Sequence, residues 1–177
     1  MKKILDVGGG IHSIKNAEVI DFADLPNITH KHNLNKFPYP IKDKTYDVIY
    51  CSHTIEHLDN IPKVLQEFKR ILKDTGEVVI KVPYLTSNIA FECPDHKHWF
   101  TYFSFDFYVR NPAKHLEIWF FPQIFKMKYR RLNFTRGGIR GLYNPLIEMI
   151  ANRYPIHYEN LLKYLFPARE LEVHLTK

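Results

Sequence analysis

Short apolar runs alternate along the chain with apolar residues at helical spacing, and this pattern predicts an α/β fold. The short runs predict strands, of which the third is weak because it is mostly polar. The predicted strands cover residues 3–7, 18–21, 28–33, 46–52, 77–84, 123–134 and 170–177.

The clearest predicted helix follows the fourth strand, with Asp59 or Asn60 as its N-cap and Gly76 as its terminator. A second helical segment covers residues 144–166 and breaks at Pro155. The apolar residues that define the first helix are Ile61, Val64, Leu65, Phe68, Ile71 and Leu72.

Residues 85–122 are rich in aromatic side chains and are interrupted by Pro94 and Pro112. We expect this segment to be an insertion of loops and short helices that packs over the strand ends. The acceptor substrate should bind there, within a single domain of residues 1–177.

The composition fits a globular protein. The chain has 177 residues, of which 45% are hydrophobic, enough to bury a sizeable core. Cys51 and Cys93 form no CxxC motif, so neither a disulfide framework nor a metal framework is indicated. No run approaches the roughly 18 apolar residues of a membrane span, and the apolar stretch before the first glycine is too short for a signal peptide. We therefore expect a cytoplasmic protein.

Acidic residues flank a glycine turn at the end of the first predicted strand. Asp6 lies in that strand, Gly8, Gly9 and Gly10 follow it, and Asp21 ends the second strand. An isolated glycine triplet is more often only a turn, but glycines also let backbone amides approach a ligand. A carboxylate at the end of the second strand can bind both hydroxyls of a ribose. A dinucleotide site is disfavoured because the third glycine is missing and the acid comes too early, and a P-loop is excluded because no GKS or GKT follows.

Four blocks of sequence, in order and with family-like spacing, resemble the class I S-adenosylmethionine-dependent methyltransferases. They are LDVGGG, VIDF, NLNKFPYPIKDKTYDVIYCSHTIEHL and EFKRILKDTGEVVIKVP. The resemblance implies an enzyme that uses S-adenosylmethionine. It also implies a Rossmann-like, mostly parallel seven-stranded sheet in the order 3-2-1-4-5-7-6, with the last strand antiparallel. Only eight residues separate Gly10 from Val19, so the first crossover helix should be shortened or absent.

A later segment, CPDHKHWFTYFSFDFY, resembles a narrower group of short bacterial and archaeal methyltransferases, and YLFPARELEVHLTK resembles their closing strand. Members of that group are often assigned to sugars or surface glycans. The resemblance therefore implies O-methylation of a small-molecule or glycan acceptor.

Carried over by position, the resemblance also implies where the cofactor binds. The glycine turn would hold the methionine end and Asp21 the ribose, while the amide oxygen of Asn33 would accept from the adenine amine and Leu34 would line the adenine. Residues just past the fourth strand would face the sulfonium. The implied cofactor site consists of Asp6, Gly8, Gly9, Gly10, Asp21, Asn33, Leu34, Ser52 and His53.

Histidine is the natural base for a hydroxyl acceptor because its pKa lies near neutral. His96, which follows Asp95 in the matched segment, is the first candidate, and His53 is the second. His57 is expected to be structural. A metal site formed by His96 and His98 with Asp95 is a minor alternative, because these three residues are not spaced as a set of metal ligands, and no metal is expected.

The formal charge of +6 suggests an anionic partner. The cations Lys126, Lys128, Arg130 and Arg131 are open to two interpretations, the solvated face of an edge strand or contacts with RNA. An RNA-modifying methyltransferase is therefore one alternative. A methyltransferase-like binding module without catalysis is another, and the shortened first crossover is the best argument for it. The shortened first crossover leaves one sheet face without a helix, and we expect the C-terminal helices or the second subunit of a homodimer to cover it.

Overall fold

The computed structural model describes residues 2–113 and 121–177, and these residues form a seven-stranded sheet. The strands are β1 (Ile4–Val7), β2 (Glu18–Asp21), β3 (His30–Lys31), β4 (Tyr46–Ser52), β5 (Leu72–Pro83), β6 (Lys126–Asn133) and β7 (Glu170–Thr176). Their order is β3-β2-β1-β4-β5-β7-β6. Strands β1 to β5 pair in parallel, and β7 is antiparallel to both β5 and β6. The predicted fold class is confirmed.

The predicted helix is also confirmed, as α1 (Ile61–Ile71). It begins where predicted because the side-chain oxygen of Asn60 accepts a hydrogen bond from the Lys63 amide at 3.0 Å. Its apolar residues recur at helical spacing and form one stripe that packs onto the sheet. The fully buried members of that stripe are Val64, Leu65, Phe68 and Ile71.

Gly76 does not terminate this helix. The helix ends at Ile71, and β5 begins at the next residue, so Gly76 lies within the strand. A Cβ atom at Gly76 would lie 2.7 Å from the Leu72 side chain and 3.0 Å from the Asp47 carbonyl oxygen. Glycine is therefore required at this position for close packing, which sequence reasoning mistook for a helix stop.

The first crossover has been reduced to a turn, as the resemblance implied. A single 3₁₀ turn, Gly10–His12, is the helical structure between β1 and β2. The two strands still pair in parallel, with Asp6 opposite Val19. The return to the start of β2 therefore needs no full helix.

The sheet face opposite α1 is polar. Side chains alternate along a strand, so Lys81, Glu170 and Glu172 point away from the buried residues of β5 and β7. The Lys81 Nζ lies 3.4 Å from a Glu172 carboxylate oxygen, and the Asn133 amide donates to both glutamates at 3.1 Å. Because these charges are paired with one another, this face is stable in contact with water.

The C-terminal helices lie elsewhere. They are α3 (Arg140–Arg153), α4 (Pro155–His157) and a π-helical turn (Tyr158–Leu162), with the expected break at Pro155. Helix α3 packs against β6, at the opposite end of the sheet from β1 and β2. The expectation that these helices cover the face beside the glycine turn is therefore not met, whereas a second subunit on that face stays a prediction.

The insertion contains the expected short helices, α2 (Ile89–Glu92) and a 3₁₀ turn (Ser104–Tyr108). Its aromatic side chains form part of the core, and the rings of Phe100 and Phe105 stack with their centroids 5.2 Å apart. Residues 114–120 of the predicted insertion lie outside the described residues. The assignment of one domain to residues 1–177 stays a prediction.

The helices in the described part of the chain are short. The longest of them, α3, has 14 residues. None is both long enough and apolar enough to cross a membrane.

Helix α3 completes the edge strand through Asn152. The Asn152 amide donates to the Leu132 carbonyl at 3.0 Å, and its oxygen accepts from the Leu132 amide at 2.8 Å. Replacing Asn152 with Ala leaves both backbone groups without these partners, and we expect the free energy of unfolding, measured with denaturant, to fall by about 1–3 kcal/mol. Hydrogen exchange at the Leu132 amide should accelerate, whereas Asn152→Asp, which keeps the acceptor oxygen, should retain slow exchange. Equal exchange rates in Asn152→Ala and the wild type would contradict this role.

Candidate active site

The turn after β1 requires glycine at its first position. Gly8 has a φ of +70°, a conformation that residues with a Cβ atom rarely adopt. A Cβ atom there would also lie 2.4 Å from the side chain of Thr54. The Gly8 amide donates to the Ile20 carbonyl at 2.9 Å, which ties the turn to β2. Glycine is therefore required at position 8 by its backbone conformation and by the close packing of Thr54, and Gly8 lines a cleft.

The carboxylate of Asp6 anchors the far side of the same turn. It is buried and accepts a hydrogen bond from the Ile14 amide at 2.8 Å. Burial raises the pKa of Asp6; the Ile14 amide opposes this shift, and the nearby charge of Asp21 adds to it. A Cβ atom at Gly9 would lie 2.6 Å from the Asp6 carboxylate, so this glycine permits the close approach.

Asp21 is oriented by the backbone on both of its oxygens. One oxygen accepts from the Gly10 amide at 3.1 Å, and the other accepts from the Ala23 amide at 2.9 Å. A carboxylate has about four lone-pair positions, so each oxygen can accept a further hydrogen bond. Asp21 thus presents fixed acceptors to a ligand at the end of β2.

A first cleft of about 550 Å³ opens over these strand ends. It brings together five of the predicted cofactor residues, Gly8, Asp21, Asn33, Leu34 and His53. Asp6, Gly9 and Gly10 support the turn beneath it. Sequence reasoning missed the other residues that line it, which are Phe22, Asn35, Thr54, His57, Leu58, Asp95 and Lys97.

Two of the missed residues directly follow predicted ones in the sequence, Phe22 after Asp21 and Thr54 after His53. The Phe22 side chain is 75% exposed, which is unusual for a large aromatic residue. Thr54 occupies the place expected for Ser52: its hydroxyl donates to the Val7 carbonyl at 3.1 Å, whereas Ser52 is not among the residues that line the cleft. The side chain of Ser52 alternates toward the polar sheet face, which explains the difference.

His53 sits at a sharp bend where β4 ends. It has a φ of +50°, which is strained for a residue other than glycine and is typical of functional sites. Its Nε2 lies 2.9 Å from Glu170, and its Nδ1 lies 3.6 Å from Glu56. The hydrogen bond with Glu170, and then the interaction with Glu56, raise the pKa of His53 to about 9. His53 is therefore mainly a cation at pH 7, and this charge state does not suit the role of base predicted for it.

A second cleft of about 570 Å³ adjoins the first. The two clefts share His53, so this histidine marks their junction. The second cleft lies between the end of β5 and the insertion. Its lining is His53, Pro83, Ile89, Glu92, Cys93, Pro94, His96 and Arg169.

The three remaining candidate histidines have different surroundings. His96 lines the second cleft and donates from Nδ1 to the Ala90 carbonyl at 2.9 Å, with its Nε2 3.9 Å from Glu56. His98 donates from Nε2 to the Leu58 carbonyl at 2.8 Å, so its ring serves backbone contacts. His57 lines the first cleft, although it was expected to be only structural.

The basic residues of β6 are engaged with acids inside the molecule. Lys128 pairs with Glu77 at 2.8 Å, Arg130 pairs with Asp106, and Arg131 pairs with Glu148. The Arg130 guanidinium also lies 4.4 Å from the centre of the Tyr102 ring. These pairs neutralise three of the four cations on which the RNA alternative rests, so the strand surface does not favour nucleic acid. Lys126 is exposed.

A comparison with protein families identifies one match. A family model described as "Methyltransferase domain" matches residues 1–127, which is well over half of the chain. The match includes strands β1 to β5, whose ends border the two clefts, and the described part of the insertion.

Curated relatives match over shorter stretches. The sarcosine/dimethylglycine N-methyltransferase of Aphanothece halophytica is 38% identical over 56 residues, which are 32% of this chain and 19% of that protein. The sterol 4-C-methyltransferase of Caenorhabditis elegans is 24% identical over 78 residues, which are 44% of this chain and 23% of that protein. The matched part thus spans less than a quarter of each relative.

Solved structures share the fold. A SAM-dependent methyltransferase from Archaeoglobus fulgidus superposes on this chain with a TM-score of 0.59 and 15% sequence identity. The superposition covers 99% of this chain and 86% of the other. The seven-stranded architecture is therefore common to the two proteins.

The raised pKa of His53 can be tested by NMR titration of its ring. We expect protonation to persist up to about pH 9, and Glu170→Gln to move the pKa back toward the ordinary value of 6.5 because the strongest partner is lost. The ion pairs stabilise the folded protein fully below pH 6.5, and this contribution is lost as the pH rises through about 9. Because the side chain is 40% exposed, solvent screening limits the contribution to about 1 kcal/mol.

Glu18→Gln, which removes an acid that pairs with Lys3 and His30, is the control for that titration. It should leave the His53 titration unchanged. A His53 pKa near 6.5 in the wild-type protein would contradict the assignment.

Proposed function

This chain belongs to the class I S-adenosylmethionine-dependent methyltransferase family, enzymes whose methyl donor is S-adenosylmethionine, and we propose that it methylates an oxygen of a small-molecule or glycan acceptor. The observation that carries the proposal is the junction at His53. There a cleft with nucleoside-binding features meets a second cleft lined by polar side chains and a histidine.

The first cleft fits the adenosine part of the cofactor. We propose that Asp21 binds the two ribose hydroxyls with the lone pairs that its backbone partners leave available. Leu34 and the exposed ring of Phe22 would contact the adenine. The oxygen of Asn33 accepts from the Asn35 amide at 2.9 Å and retains a lone pair for the adenine amine.

The methionine end of the cofactor fits the glycine turn. Gly8 lines the first cleft with a left-handed backbone that other residues rarely adopt, and Thr54 packs where a Cβ atom would lie, so only glycine permits this turn. The cationic ring of His53 lines the same cleft. We propose that His53 binds the carboxylate of the methionine moiety, since a cation suits that role better than the role of base.

The second cleft suits a hydroxyl-bearing acceptor. Glu92 and Arg169 supply hydrogen-bonding groups at its wall. Phe91 belongs to the short helix that also carries Glu92, and its exposed ring stacks on that of Trp99 with the centroids 6.0 Å apart, which offers a flat apolar surface to a sugar ring. We propose that this pair, rather than the buried Tyr102, contacts the acceptor.

The chemistry asks for alignment and for removal of one proton. The sulfonium of S-adenosylmethionine supplies an activated methyl group, so the chain must hold the acceptor oxygen in line with it. The hydroxyl proton must leave as the new carbon–oxygen bond forms. We propose that His96, nearly buried in the wall of the second cleft, promotes that loss.

The relatives do not decide which atom accepts the methyl group. Their names specify a nitrogen acceptor and a carbon acceptor. The oxygen acceptor is supported by the polar lining of the second cleft and by the aromatic pair beside it. Methyl transfer onto separated glycan, RNA, protein and small-molecule fractions of a lysate would identify the acceptor.

Cofactor binding is tested by calorimetry with S-adenosylhomocysteine. Asp21→Ala removes the ribose acceptors, and we expect affinity to fall roughly 10–100-fold, as for the loss of one or two charge-assisted hydrogen bonds. Asp24→Ala is the matched control, because Asp24 is an exposed acid paired with Lys31 outside the cleft. No binding by the wild-type protein, or equal binding by Asp21→Ala, would favour the non-catalytic binding module.

The role of His96 is tested by the rate of S-adenosylhomocysteine formation with the identified acceptor. We expect His96→Gln to lower kcat by roughly 10²–10⁴-fold while cofactor affinity stays unchanged. His98→Gln, two residues away and bonded to the Leu58 carbonyl, should keep most of the activity. A larger loss in His98→Gln than in His96→Gln would overturn the assignment.

A further inference from the structure

Two histidines and a cysteine converge at the boundary between the two clefts. His57 comes from the turn after β4, while Cys93 and His96 come from the insertion. One potential ligand atom of each residue lies within 4.8 Å of those of the other two. The rings of His57 and His96 are 4.6 Å apart between centroids.

Both histidines are held by backbone carbonyls through Nδ1. His57 donates to the Asp95 carbonyl at 3.3 Å, and His96 donates to the Ala90 carbonyl at 2.9 Å. Such bonds leave Nε2 unprotonated in a neutral ring and fix the direction in which it points. The same arrangement orients most histidines that bind metal ions in proteins.

The backbone already joins the two segments that carry these residues. The amides of Lys97 and His98 donate to the Glu56 carbonyl at 2.8 and 3.3 Å. The ligand atoms around a tetrahedral zinc ion are roughly 3.5 Å apart, given bond lengths of roughly 2.0–2.3 Å. Small side-chain rotations therefore suffice to bring the three ligand atoms to the distances that a zinc ion requires.

A buried carboxylate beside the cluster provides a second, independent observation. Glu56 is fully buried, and neither of its side-chain oxygens has a hydrogen-bond partner within residues 2–113 and 121–177. One oxygen lies 3.9 Å from His96 Nε2 and 3.6 Å from His53 Nδ1. His53 offsets part of the cost of burying this carboxylate, but neither oxygen is hydrogen-bonded, and a second cation bound next to it would offset more of that cost.

We propose that His57, Cys93 and His96 bind a zinc ion, with Glu56 as the neighbouring negative charge. A thiolate with two imidazoles selects Zn²⁺ over Mg²⁺ or Ca²⁺, which prefer oxygen ligands. Three protein ligands leave the fourth position open, as in catalytic zinc sites.

The position of the ion would matter for the reaction. Cys93 and His96 line the second cleft, and His57 lines the first, so the fourth position is placed to hold an acceptor oxygen. This role rests on the proposed function, and it would make His96 act on the acceptor through the metal. Binding of the ion itself does not depend on that function.

The experiment uses tag-free, chelator-treated full-length protein titrated with Zn²⁺ and, separately, with Co²⁺. We expect one ion per chain and, with Co²⁺, an absorption band from thiolate-to-metal charge transfer. Cys93→Ser should abolish the band and weaken Zn²⁺ binding roughly 100-fold, and Glu56→Gln should weaken it roughly 10-fold. His98→Gln is the matched control and should bind as the wild type does.

Binding of S-adenosylhomocysteine, measured on the same samples without metal, shows that each variant is folded. Less than one zinc ion per chain at saturation, or a charge-transfer band that persists in Cys93→Ser, would overturn the metal site alone. Intact zinc binding without S-adenosylhomocysteine binding would overturn the proposed function and leave the metal site standing.

Discussion

Two buried carboxylates hold the turn on which the first cleft depends. Asp6 accepts from the Ile14 amide, and Asp21 accepts from the amides of Gly10 and Ala23. In a parallel βαβ unit a helix normally fixes the connection between two such strands. Here the crossover contains only a 3₁₀ turn, so these side-chain bonds take over that task. A loss of either acid would therefore release the loop between the two strands.

The strand order then determines where chemistry can occur. The central position of β1 and β4 brings the glycine turn next to the bend at His53. Glu170 reaches the same histidine from β7, and Glu56 reaches it from the turn after β4. His53 thus lies at the boundary of the cleft proposed for the nucleoside and the cleft proposed for the acceptor. The end of β4 therefore supplies His53, which provides the positive charge and marks the boundary between the two clefts.

Local patterns in the sequence were sufficient for the elements that depend on local physics. Helix α1 follows from its apolar spacing and its Asn60 cap, and the shortened crossover follows from the few residues between Gly10 and Val19. Gly76 could not be interpreted correctly because its role is a close contact with Leu72 and Asp47 inside a strand. The sequence alone does not distinguish a glycine inside this strand from a glycine that terminates the preceding helix.

The site was predictable only in part, for the same reason. Asp21, Gly8 and Leu34 were found because each belongs to a motif with a fixed position in the fold. The charge of His53 depends on Glu170, which is far away in sequence, and so could not be foreseen. The meeting of His57 with Cys93 likewise depends on how the insertion folds back over β4. The basic residues of β6 looked available for RNA until their acidic partners were known.

A crystal structure of the protein bound to S-adenosylhomocysteine would test these assignments together. We predict that both ribose hydroxyls lie within hydrogen-bond distance of Asp21, that the homocysteine carboxylate lies beside His53 and that the sulfur is directed toward the second cleft. A ligand bound with its ribose away from Asp21, or with its sulfur closed off from the cleft that contains His96, would contradict these assignments.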